Sequence, residues 1–255
     1  MPRPFIRSIA PLFALLAAAL VAVGVVPASP AHASVTPKLS LGPYHSCALE
    51  SAGTVWCWGD NENGKLGDGT EVDRLTPVEV DLTDVIDVAA GYEYTCALKS
   101  NGTVWCWGDN EYGQLGDGTE VDSSSPVQVD SLTGVSSIAA GGWHACAVTD
   151  DNDVHCWGYN GEGELGNGEN TDSNVPVIVT GLSGVSRISL GEEHSCALLN
   201  SGSMKCWGYN GEGELGDGTT DDSNTPVDVV GITSATAITT GGWHTCARVS
   251  NGRLW

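Results

Sequence analysis

From Val85 to Asp130 the chain alternates short apolar runs with turn-forming residues. Val85-Ile86-Asp87-Val88-Ala89-Ala90-Gly91 reads as a strand that ends in small residues, and Tyr94-Thr95-Cys96-Ala97-Leu98-Lys99 as a second strand. Ser100-Asn101-Gly102 is a turn, Thr103 to Gly108 a third strand, Asp109 to Asp122 a glycine-rich loop, and Pro126-Val127-Gln128-Val129 a short fourth strand. Short runs bounded by Gly, Asn, Asp and Ser predict strands joined by hairpins. Past residue 33, no 11-residue stretch carries apolar residues at helical spacing. The same order recurs in repeats at roughly 39–84, 85–134, 135–184 and 185–234, and in part at 235–255.

The nine cysteines keep the register of these repeats. Cys47, Cys96, Cys146, Cys196 and Cys246 lie 49 or 50 residues apart, and so do Cys57, Cys106, Cys156 and Cys206. Each early cysteine precedes a late one by ten positions, except Cys246, whose mate would fall at 256 while the sequence ends at Trp255. A chain cut inside its fifth copy explains the odd count. If Cys96 faces Cys106, then Ala97 faces Trp105, Leu98 faces Val104 and Lys99 faces Thr103. Three residues then remain for the loop, with Gly102 last, where a three-residue hairpin needs the left-handed region. Gly53, Gly202 and Gly252 fill that slot in other copies, and Asn152 fills it in the third. Directly opposed residues are close enough for a disulfide. The predicted pairs are Cys47–Cys57, Cys96–Cys106, Cys146–Cys156 and Cys196–Cys206, each closing a short ring worth roughly 2–3 kcal/mol.

A sheet of four such short strands cannot bury its own faces and must stack on its neighbours. Trp58, Trp107, Trp157 and Trp207 each precede a glycine, and Leu66, Leu115, Leu165 and Leu215 recur in the loop. Both sets are expected to fill the interface between sheets, at up to about 200 Å² per indole. Trp143 and Trp243 occur in only some copies; they are better candidates than the others for an exposed or channel-facing patch, although a core position is the expected one. A period near 50 with four strands per unit predicts an all-β fold, a β-propeller whose sheets are blades about an axis. Ala89-Ala90-Gly91, Ala139-Ala140-Gly141 and Thr239-Thr240-Gly241 suit inner strands crowded at that axis.

The first 33 residues share nothing with the repeats. Arg3 and Arg7 precede an uncharged, mostly apolar run, Ile9 to Val26, and Ala31-His32-Ala33 fits a signal-peptidase site. Residues 1–33 are therefore expected to be a signal peptide, although the 18-residue run would also suit a retained anchor. Export places the regular cysteines in an oxidising compartment, where disulfides persist. Without Arg3 and Arg7, 8 basic residues face 32 acidic ones, a balance of −24 over residues 34–255. Such a surface repels phosphate backbones and anionic lipid, which argues against nucleic-acid and membrane partners. It favours solubility and a protein partner that is itself basic.

The runs HSCALESAGTVWCWGDNENGKLGDG (45–69) and YTCALKSNGTVWCWGDNEYGQLGDG (94–118), with their two later relatives, resemble the regulator of chromosome condensation (RCC) repeat. The likeness covers Leu39 to Trp255. It implies a seven-bladed propeller, of which this chain would hold four full repeats and part of a fifth. The remaining blades would then follow or come from elsewhere. The family's namesake is a nucleotide-exchange factor for a small GTPase; export and acidity argue against that activity here. Another exported member inhibits β-lactamases through loops at one end of its ring, which illustrates what the scaffold can do.

Candidate chemistry is sparse. His45, His144, His194 and His244 recur, but equivalent atoms on adjacent blades would lie roughly 7–9 Å apart, too far to share one zinc. Tyr94 also interrupts the series, so the histidines read as structural. His45-Ser46-Cys47 and its copies offer a base beside a nucleophile, yet the cysteines are expected in disulfides and no third orienting group recurs. The loops 60–70, 109–122, 162–172 and 212–222 are rich in oxygen ligands, so calcium is a possible ion, although the EF-hand register fails. Asp60, Glu62, Asp109, Glu111, Glu162, Glu164, Glu212 and Glu214 are the candidate partner-contact residues, as acids free of core duties. The sequence thus predicts a secreted, non-catalytic protein-binding scaffold with no cofactor. The alternatives are an inhibitor of an extracellular enzyme such as a hydrolase and a calcium-dependent surface module.

Overall fold

The computed structural model describes residues 35–255, and the segment read as a signal peptide lies outside them. The described residues form five sheets in chain order. Blade 1 consists of β1 (Lys38–Leu41), β2 (His45–Leu49), β3 (Val55–Gly59) and β4 (Arg74–Glu79). Blade 2 holds β5 (Val85–Ala90), β6 (Tyr94–Lys99), β7 (Val104–Gly108) and β8 (Ser123–Gln128). Blade 3 holds β9 (Val135–Ala140), β10 (His144–Thr149), β11 (Val154–Gly158) and β12 (Ser173–Ile178). Blade 4 holds β13 (Val185–Leu190), β14 (His194–Leu199), β15 (Met204–Gly208) and β16 (Ser223–Asp228). Blade 5 contributes β17 (Ala235–Gly241) and β18 (His244–Val249), with an isolated bridge from Arg248 to Leu254. Each full blade is an antiparallel meander, and the set does not close into a ring.

The central hairpin has the register that the cysteine spacing requires. Cys96 faces Cys106, Ala97 faces Trp105 and Leu98 faces Val104, and the other full blades repeat this. The four cystines join the predicted partners at Cα separations of 4.1–4.2 Å, and Cys246 is unpaired. The last loop residue is left-handed in every copy, with φ of 80° at Gly53, 78° at Gly102 and 64° at Asn152. Asparagine tolerates this region better than other side-chain-bearing residues.

The outer strand differs from its expected limits. It spans Ser123–Gln128 in blade 2 rather than Pro126 to Val129. A register shift between Cys106 and Gly108 lets Ser123 pair with Gly108, so pairing starts before the apolar run that marked the strand in sequence. Val129 instead turns inward, fully buried.

Blades stack through one repeated device. The indole of Trp107 donates to the Lys65 carbonyl at 2.9 Å, Trp157 to Gln114 at 2.9 Å and Trp207 to Glu164 at 2.7 Å. Each of these tryptophans is fully buried against the preceding blade. Leu66, Val55, Val80 and Val88 surround Trp107 in one apolar cluster. Trp58 departs from the core role expected of it and is only half-buried. Gly67, Gly116 and Gly166 floor the indole sites, where an added Cβ would come within 2.6–2.8 Å of the ring. Their φ of 63–74° also lies in the left-handed region that glycine permits.

Candidate functional site

Because strands alternate in direction, the turn after the first strand and the long loop after the third open at the same end of each blade. The cystine hairpin loops and the inter-blade connections open at the opposite end. Residues 42–44, 91–93, 141–143, 191–193 and 241–243 therefore share a face with loops 60–73, 109–122, 159–172 and 209–222. All eight predicted contact acids are on those long loops.

Each long loop is built around one buried asparagine. Asn110 Oδ1 accepts from the Leu115 backbone N–H at 2.9 Å, its Nδ2 donates to the carbonyls of Thr119 and Val121, and its own N–H donates to Asp122. Asn61, Asn160 and Asn210 do the same work. Asp68 Oδ1 accepts from the Thr70 N–H and hydroxyl, and Asp117 and Asp217 repeat that turn. Many loop oxygens are thus occupied in holding the loop. Among the described residues no three His, Cys, Asp or Glu side chains converge as a metal site. The place of these asparagines after Trp-Gly-Asp or Trp-Gly-Tyr is the same in every full repeat and is the sequence signal that marks them.

The recurring histidines join blades. His45 Nε2 lies 2.8 Å from the Thr95 hydroxyl, His144 Nε2 2.9 Å from Ser195 and His194 Nε2 3.0 Å from Thr245. Those hydroxyls donate onward to the carbonyls of Lys65, Glu164 and Glu214. Having donated its proton, each hydroxyl accepts from the imidazole, which places a proton on Nε2. Burial lowers the histidine pKa to about 4 at His45, about 3 at His144 and about 4 at His194. At Tyr94 the series changes chemistry, and the phenol donates to the His144 carbonyl. The next blade changes with it, since Ala145 stands where Thr95, Ser195 and Thr245 carry hydroxyls.

The predicted contact acids divide into two groups. Glu62, Glu111 and Glu212 are exposed and Glu162 half-buried. Glu164 and Glu214 contradict their assignment to the solvated rim, being 0% and 4% exposed. They occupy the position before the interface leucine, where Lys65 and Gln114 are also fully buried, so the backbone turns them inward. Asp60 and Asp109 are likewise not free of structural work: Asp60 pairs with Lys65, and Gln114 Nε2 donates to Asp109 at 2.6 Å. Burial and the carboxylates of Glu193 and Glu162 push Glu164 up to about 8, against backbone N–H donors that hold it down. Burial, followed by Glu192 and other nearby carboxylates, raises Glu193.

Aromatic rings run between these acids. Tyr92 meets Trp143 edge-on at 5.1 Å, Trp143 meets Tyr159 at 6.4 Å, Tyr112 meets Tyr159 at 5.2 Å and Tyr209 meets Trp243 at 5.6 Å. Contrary to the expected core position, Trp143 is half-buried on this face, and Trp243, its equivalent in the two-stranded last blade, is exposed. Nearer the axis, Tyr92 reaches across blade 3 and its hydroxyl donates to Glu192. Backbone bonds from Tyr92 N to Gly142 O, Gly142 N to Glu192 O and Glu192 N to Gly242 O belt the inner turns together. Glycine at 142 permits this approach, because a Cβ there would sit 2.7 Å from the Glu192 carbonyl oxygen.

Radial four-stranded blades locked by Trp, Leu and His contacts define an open propeller segment of tandem repeats. The RCC1-like domain profile matches residues 23–255, and the chain belongs to that family. Human WBSCR16 is similar in structure, with a TM-score of 0.78 and 28% identity over 85% of this chain and 58% of that one. Prp20p from Saccharomyces cerevisiae, whose structure was described with its binding to Gsp1p and histones, gives 0.74 at 22% identity over 86% and 57%. Yeast RCC1 (Prp20) bound to Kap60 gives 0.72 at 22% identity over 82% and 52%. The chain thus spans between 52% and 58% of the length of these structures. No curated protein sequence matches it significantly.

Proposed function

We propose that the chain is part of an exported, non-catalytic binding propeller whose acidic, aromatic loop end receives a basic protein. The observation that carries this reading is the gathering of Glu111, Glu162, Glu192, Glu193 and Glu212 with Tyr92, Trp143, Tyr159 and Trp243 on that one face. Rigid aromatic rings supply contact area at low entropic cost, and charge of one sign steers an oppositely charged partner. Four disulfides support an oxidising compartment, and among the described residues no helix is long and apolar enough to cross a membrane. Calcium-organised loops have less support, because many of the loop oxygens already hold the turns.

The test is retention on immobilised poly-lysine and on a basic globular protein, cytochrome c, over a salt gradient. Glu62→Gln, Glu111→Gln, Glu162→Gln and Glu212→Gln together should weaken binding at least about tenfold at low salt, since charge complementarity acts within a Debye length of about 10 Å at 0.1 M. Retention unchanged by that neutralisation would overturn the reading. Specific inhibition of an extracellular hydrolase is the second reading, favoured by the aromatic content of the same face. It predicts one-to-one binding and loss of hydrolase activity in a panel of secreted enzymes.

A further inference from the structure

We propose that the slot between blades 3 and 4 at the acidic end binds a primary ammonium group, the lysine side chain of a partner protein, between Glu164 and Glu193. This deepens the reading above and rests on it. The chain contains its own template for such a site. In blade 1 the residue before the interface leucine is Lys65, fully buried. Its ammonium pairs with Asp60 of the same blade and Glu93 of the next, with the Tyr44 ring 5.8 Å away. Burial opposes the charge, but bonds to Asp60 and Glu93 outweigh it and raise the Lys65 pKa.

The repeat register transfers each of these positions to blade 3. Glu164 stands at the place of Lys65, Glu193 at the place of Glu93, Tyr159 at the place of Asp60 and Trp143 at the place of Tyr44. An ammonium facing a carboxylate is thereby replaced by two carboxyl groups, with aromatic residues at the other two positions. Blade 2 resolves the same slot differently, with a neutral amide: Gln114 donates to Asp109 and accepts from the Tyr112 N–H at 2.9 Å. In blade 3 the Glu162 N–H satisfies Glu164 Oε2 at 3.0 Å, whereas the buried Oε1 has no hydrogen-bond partner. Among the described residues no ion pair joins a lysine or arginine to Glu164 or Glu193. A buried polar atom of this kind is costly unless a donor reaches it.

An ammonium fits this slot better than other cations do. It is compact, brings three donors and no acceptor, and gains from the face of a tryptophan or tyrosine. Glu193 and Trp143, at the loop end of this position, are partly exposed to solvent. A divalent metal would need several converging carboxylates, and the described acids do not form such a cluster.

The probe is the peptide acetyl-Gly-Lys-Gly-amide, titrated into the full chain by calorimetry with tryptophan fluorescence in parallel. Its norleucine counterpart keeps the apolar stem and lacks the ammonium, with its charge and three donors. The lysine peptide should bind and the norleucine peptide should not. Glu164→Gln and Glu193→Gln should each weaken binding tenfold or more, while Glu212→Gln, the same side-chain exchange at an exposed site, should stay within twofold. Gln at 164 reproduces the side chain that blade 2 folds around, and Glu193→Gln is an independent second variant. Equal binding of the norleucine peptide, equal losses for Glu164→Gln and Glu212→Gln, or tighter binding of an arginine peptide would each overturn the assignment. Poly-lysine retention separates the two levels. Retention insensitive to Glu164→Gln but lost on neutralising the exposed acids overturns the slot alone, whereas retention insensitive to both overturns the broader reading.

Discussion

The pairing of Tyr94 with Ala145 offers a sharp test of how blades recognise one another. In blades 1, 3 and 4 a histidine reaches a hydroxyl on the next blade at 2.8–3.0 Å, and that hydroxyl reaches a loop carbonyl at 2.9–3.2 Å. Tyr94→His alone would place an imidazole N–H against the Ala145 methyl and delete the phenol bond to His144. A buried unsatisfied donor costs about 1–3 kcal/mol, with about 1 kcal/mol more for the lost ring volume. Adding Ala145→Ser rebuilds the relay, since the new hydroxyl can accept from the imidazole and donate to the Gln114 carbonyl. Two hydrogen bonds at about 0.5–1.5 kcal/mol each predict a favourable coupling of about 1–3 kcal/mol. For a chain of this length that recovers roughly 3–9 °C in melting temperature relative to the single variant. Calorimetry of the wild type, both single variants and the double variant closes the cycle. Additivity within about 0.5 kcal/mol would refute the relay as the reason these two positions differ together.

The neutral histidines also predict acid sensitivity. Their folded pKa values of about 3 to 4 lie below the ordinary 6.5, so the unfolded chain binds more protons in between, and stability should fall as pH drops from 6.5 towards 4. Glu164 acts in the opposite sense: with its folded value at about 8, the folded chain holds a proton that the unfolded chain releases above about 4.5. Stability should therefore also decline as pH rises towards 8, and Glu164→Gln should flatten that alkaline limb by a few kcal/mol or less. Melting temperatures from pH 4 to 9 check both limbs, and an alkaline limb unchanged in the variant would contradict the Glu164 assignment. Trp157→Ala removes both the interface filler and the donor to Gln114, and should cost about 3–5 kcal/mol by denaturant unfolding. Trp58→Ala, at a half-buried indole, should cost markedly less.

Much of the architecture was legible because it rests on local rules. Short apolar runs bounded by turn residues, a ten-residue cysteine spacing and a left-handed residue at each hairpin fix strand pairing within a blade, and these involve neighbours only a few positions apart. The recurring Trp, Leu and His were legible as structural because they recur. Glu162 and Glu164 look alike in sequence, as do Glu212 and Glu214. Only the loop's fold about Asn160 and Asn210 turns one outward and the other beneath the next blade.

The amino-acid order alone therefore determined the three inner strands of each blade, the hairpin register, the cystine pairs and the repeat that makes blades stack. Tertiary structure decided which acids meet solvent, which rings gather beside them and which blade supplies the partner of each histidine. Those outcomes depend on contacts between residues about 30 to 50 positions apart, brought together when one blade docks on the next. Burial of that kind is a property of the interface between repeats, and no single repeat contains it.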